Sequence, residues 1–95
     1  MATFEVAHIK EQGQDIIIVL LKSSFGRKPQ DEKNEIALML QRCATSAGLA
    51  GTVVPVWDEG GGRMGFLAPK PWHPFFRSIT LRHVAININK KLTCS

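Results

Sequence analysis

The stretch VWDEGGGRMGF, residues 56–66, spaces Gly60, Gly62 and Gly65 as G-x-G-x-x-G with Arg63 inside it. Such a run can cradle a phosphate, because backbone N–H groups approach an anion closely where no Cβ intervenes. A dinucleotide fingerprint needs a helix to open straight after the glycines and an acidic residue about 20 positions further on. Here RMGFLAPKP follows, with Gly65, Pro69 and Pro71 against any helix, and no acid occurs after Glu59. A P-loop needs G-K-S or G-K-T where this chain has G-R-M. The glycine loop over the nucleotide of protein kinases does lie in a hairpin, but the H-R-D and D-F-G motifs that accompany it are absent. The glycines are therefore expected to form a hairpin turn, with a loose anion contact through Arg63 and nearby N–H groups as the remaining chemistry. No cofactor is expected.

His8, His73 and His83 show none of the short H-x-x-x-H or C-x-x-C spacings of metal sites, so no metal is expected and single structural histidines are the simpler reading. Cys43 and Cys94 also lack such spacing and read as free thiols of a reducing cytoplasm. A thiol or the Asp58–Glu59 pair can meet a histidine only through the fold. Cys43 falls on an apolar helical stripe, and adjacent carboxylates on a strand point to opposite faces, so no catalytic residue is assigned and binding is favoured over catalysis.

Charge is divided along the chain. Residues 1–59 hold six Lys/Arg and all eight Asp/Glu, a sum of −2, whereas residues 60–95 hold six Lys/Arg and no acid, a sum of +6. Arg63, Lys70, Arg77, Arg82, Lys90 and Lys91 can therefore create a positive field that favours a nucleic acid or another polyanion, unless acids of the first half lie beside them in the fold. The segment PKPWHPFFR adds Trp72, Phe75 and Phe76, with Trp72 as a possible stacking surface for bases. The same aromatics can instead close the core or serve a protein partner, and the alternative function is a protein-interaction or homodimerisation module built on Thr52–Trp57 as an exposed edge or on the Trp72–Phe76 loop. No GXXG clamp, K/R-G-F-G-F strand or zinc-finger spacing accompanies the bases.

The elements that must position these residues follow from periodicity. Phe4–Lys10 alternates as a strand, and Asp15–Leu21 is a continuous apolar run suited to a strand covered on both faces, with a glycine turn between them. Pro29 and the acids Asp31, Glu32 and Glu35 suit a helix start; Ile36, Met39, Leu40, Cys43, Ala44 and Ala47 form one stripe, and Gly48 ends it. TVVPVWD and RMGFLA predict a second hairpin, with Pro55 placing the first of these strands at an edge or bulge. Residues 78–94 fit a helix capped by Ser78 or, alternatively, a strand.

A shift of 48 residues superposes Glu11 on Glu59, Gly13 on Gly61, Lys22 on Lys70 and Ala37 on Ala85. It predicts a ββαββα chain, a four-stranded mainly antiparallel sheet with two helices on one face. With 95 residues and 44% hydrophobic content, a single α+β domain spanning 1–95 is expected. The start lacks the basic and apolar regions of a secretory signal, and the longest apolar run, Ile16–Leu21, falls well short of the roughly 20 residues of a membrane helix. A cytoplasmic protein with no membrane partner is the resulting expectation.

Overall fold

The computed structural model describes residues 2–94. In chain order it contains β1 (Ala2–Glu11), β2 (Gln14–Leu20), a 3₁₀ turn (Ser23–Arg27), α1 (Gln30–Ser46), β3 (Thr52–Gly60), β4 (Arg63–Phe66), a second 3₁₀ turn (Lys70–Trp72), α2 (His73–Ser78), α3 (Leu81–Ile86) and β5 (Lys90–Cys94). The result is an α+β domain around one five-stranded mixed sheet of order β4-β3-β2-β1-β5.

Two hairpins supply four of the strands. β1 and β2 pair antiparallel with Glu11 opposite Gln14, and β3 and β4 do so with Val56 opposite Phe66. Between the hairpins α1 carries the chain back across the sheet, so β3 runs parallel to β2, Ile16 beside Thr52 and Leu20 beside Val56. At a shift of 48 residues β1 and β2 fall on β3 and β4 and the first 3₁₀ turn overlaps the second, but α1 falls on residues 78–94, which form α3 and β5 and not one helix.

The parallel junction also corrects the expected architecture. Because β3 runs opposite to β1 while the strand order is kept, the second unit is the first one turned over, and its helices land on the other face. Thus α1 covers one face, where Val6, Ile17, Val19, Val53 and Leu92 meet its Leu40 and Ala44. On the opposite face Ala7, Ile16, Ile18, Val54 and Val56 meet Phe76 of α2 and Val84 of α3. The apolar run of β2 is buried on both sides, as its lack of alternation predicts.

The sequence 78–94 is neither all helix nor all strand. Thr80, not Ser78, caps α3 by accepting from the His83 N–H at 3.2 Å, while the Ser78 hydroxyl donates to the Phe75 carbonyl at the end of α2. At Asn89 the chain turns back to β1: its side-chain oxygen accepts from the His8 N–H at 2.9 Å, and its amide donates to the His8 carbonyl at 3.0 Å. β5 then adds to the outer edge of β1, from Val6 opposite Lys90 to Ala2 opposite Cys94.

Two further expectations are corrected. Thr52–Trp57 is not an exposed edge, for β3 lies between β2 and β4 and Val53–Trp57 are buried. Pro55 is tolerated there because its backbone groups face β4 and not β2: its carbonyl accepts from the Leu67 N–H at 3.0 Å, and the one bond its missing N–H forgoes would lie just past Val56–Phe66, where the β3–β4 ladder ends. Cys43 and Cys94 are not free thiols. They form a disulfide that fastens α1 to β5, with Cα atoms 5.7 Å apart.

Candidate anion-binding face

The glycine run is a hairpin turn. Gly60, Gly61 and Gly62 take φ of +97°, +62° and +78°, which side chains with a Cβ rarely adopt, and the Gly60 N–H donates to Asp58 Oδ1 at 2.8 Å. Gly65 has a different task. It lies against the Trp57 indole so closely that a Cβ would collide with Nε1 and Cε2, and Gly26 of the first 3₁₀ turn is pressed against the same ring. Trp57 is thereby buried, its Nε1–H donating to Glu59 Oε1 at 3.0 Å and its ring 5.0 Å from that of Phe25. Glycines and acids of the G-x-G-x-x-G stretch thus serve the turn and the tryptophan.

The six bases of the C-terminal half are all exposed. Strand alternation and helix placement separate them. Lys70, Arg77 and Arg82 lie on the second 3₁₀ turn, α2 and α3. Lys91 faces the same side of the sheet, opposite in parity to the buried Leu92 and Cys94. Lys90 shares the parity of Leu92 and so points to the α1 side, as does Arg63, opposite in parity to Met64 and Phe66, which pack on the α2–α3 side. The structure therefore brings four of the six to one side and leaves Arg63 and Lys90 on the other.

The two helical layers differ in charge. From Lys70 to Ile88 the chain contains Lys70, Arg77 and Arg82 and no carboxylate, whereas α1 carries Asp31, Glu32 and Glu35 against Lys33 and Arg42. Among the described residues the one ion pair is Lys28–Glu32, at 3.9 Å, so none of the six C-terminal bases is paired with an acid. Acids do reach the α2–α3 side from the strands: Glu5 stands opposite Lys91, and Glu11 lines a groove with Trp72. Ile86 on α3, an apolar side chain 73% exposed, stands in the basic layer. Charge asymmetry does not point to Ile86; its helical position opposite Val84 does.

Trp72 is only half-exposed and packs on the core beneath α2. Phe75 and Phe76 join that core, with Phe66 stacked on Phe76 at 5.5 Å. The loop aromatics thus belong to the core on the α2–α3 face of the sheet. Two of the three histidines also hold structure through their side chains: His8 Nε2–H donates to the Ala50 carbonyl at 2.8 Å and His73 Nε2–H to the Ala68 carbonyl at 2.9 Å, each fixing a loop. Among the described residues no group of three or more His, Cys, Asp or Glu side chains gathers at a metal-binding distance, and no helix is long and apolar enough to cross a membrane.

No protein-family model, curated protein or solved structure matches this chain.

Proposed function

We propose that the domain is a non-catalytic binding module whose α2–α3 face takes a polyanion, a single-stranded nucleic acid foremost. The observation that supports this reading is the division of charge between the helical layers: three exposed bases, unpaired among the described residues, and no carboxylate on one, against three acids and two bases on the other. An anionic chain approaching the first layer is attracted and gains a counterion-release term, while the α1 layer gives it less reason to dwell. Lys91, with Glu5 opposite it, adds little to that field at the sheet edge, and Ile86 supplies an apolar contact beside the helical charges.

Binding of a fluorescent single-stranded oligonucleotide, followed by anisotropy over a salt series, tests the reading. Affinity is expected to fall with salt, and R77A/R82A is expected to lower the log–log slope by about 1.4, two contacts at roughly 0.7 each. Lys10→Ala, on the opposite side of the sheet, serves as the control. Absence of binding at low salt, or a slope unchanged in R77A/R82A, overturns the proposal.

A further inference from the structure

Of the six residues assigned by periodicity to the buried stripe of α1, Leu40 and Ala44 are buried, Ile36 and Cys43 are half-buried, and Met39 and Ala47 are exposed. Met39 is 45% exposed and its neighbour Leu38 53%, so α1 presents a large apolar pair to solvent. They line a groove of about 540 Å³ between α1 and the β5 edge, which runs along the helix from Glu35 past Arg42 to Ser46 and Ala47, with Thr93–Cys94 along the side.

Glu35, Leu38, Met39 and Arg42 stand at i, i+3, i+4 and i+7, which places them in one stripe along the helix. The stripe is symmetric in position and complementary in charge about a point midway between Leu38 and Met39. A two-fold axis through that point sets a second α1 antiparallel to the first. Leu38 then meets Met39 of the other copy, and Glu35 meets its Arg42, twice over. This self-complementarity is what an isologous interface requires. Neither Glu35 nor Arg42 has an ion-pair partner within the chain among the described residues.

We infer that this stripe is a homodimer interface, with a second copy of the chain as its occupant. The disulfide holds α1 against β5 and so fixes the groove wall, while Lys90 and Lys91 discourage unspecific strand addition along the same edge. Four residues cover less than the roughly 800 Å² per partner of a standard interface, so the dimer is weak and concentration-dependent. This surface lies across the sheet from the α2–α3 face and does not depend on polyanion binding.

Sedimentation equilibrium of the oxidised chain, without any polyanion, up to about 500 µM tests it at the affinity expected of so small a patch. The expected result is a monomer–dimer equilibrium. E35R and R42E, each of which sets like charges opposite one another, are expected to weaken it about tenfold, and E35R/R42E to restore it. Circular dichroism checks that each variant is folded. A strict monomer over the whole range, a dimer indifferent to the single reversals, or a double variant as weak as the singles overturns the inference. Leu38→Lys supplies a second reading, since loss of the dimer there supports the apolar centre and its persistence rejects it.

Discussion

Gly65 packs flat against the indole of Trp57, at a separation that leaves no room for a Cβ. Replacing it by alanine forces the ring or strand β4 to move. Gly65→Ala is expected to cost about 1–3 kcal/mol, the usual penalty of overpacking a tight site. Urea unfolding gives the measure. Gly61→Ala, in open space but at φ +62°, is expected to cost only about 1 kcal/mol from backbone strain. Equal losses at the two positions would show that the glycines serve only the turn.

The disulfide joins positions 51 residues apart. Closing a loop of that size removes chain entropy from the unfolded state equivalent to about 4 kcal/mol, and enthalpic effects commonly reduce the net gain to about 2–4 kcal/mol. C43A/C94A is expected to unfold at correspondingly lower urea, and a dithiol reductant to lower the melting temperature of the wild type but not of the variant. A melting temperature indifferent to reductant would be incompatible with the Cys43–Cys94 bond.

Asn89 satisfies both backbone groups of His8 just beyond the last β1–β5 pair. Asn89→Ala leaves an N–H and a carbonyl to solvent, at an expected cost of about 1–2 kcal/mol. Hydrogen exchange at the His8 amide should accelerate by about the factor that this energy implies, roughly tenfold or more.

Trp72 separates a structural role from a binding one. Its ring packs on the second core cluster, so Trp72→Ala is expected to cost about 2 kcal/mol of stability through lost apolar burial. Because the side chain is uncharged, the salt slope of oligonucleotide binding should stay as in the wild type. A large loss of affinity with stability intact would instead restore Trp72 as a base-stacking surface.

Periodicity identified both hairpins, the long helix and the turn role of the glycines, because each is encoded by residues near one another in sequence. The face that each helix covers was not legible in the same way. It depends on whether β3 lies parallel or antiparallel to β2, and no local feature of Thr52–Trp57 specifies that. Pro55 suggested an edge because a missing N–H usually marks one, yet the neighbouring ladder ends just before it. Residues 78–94 combined the signals of two short elements, α3 and β5, separated by Asn87–Asn89. Cys43 and Cys94 read as free thiols because two cysteines alone, far apart in the chain and outside any recurrent spacing, carry no signal of a pair. For the candidate site, the bases were legible as a charge imbalance, but their division between two sides required the strand parity of Leu92 and Met64.

The pairing of Ala2 with Cys94 has a bearing on biosynthesis. β1 leaves the ribosome before every other element, but its outer edge acquires a neighbour only when β5 emerges. Until then a strand carrying Phe4, Val6 and Ile9 has one row of backbone donors and acceptors open to any other nascent chain. Such long-range closure slows folding and prolongs exposure to misassembly. Of the three strands that end with a neighbour on both sides, the first to be made is the last to be enclosed.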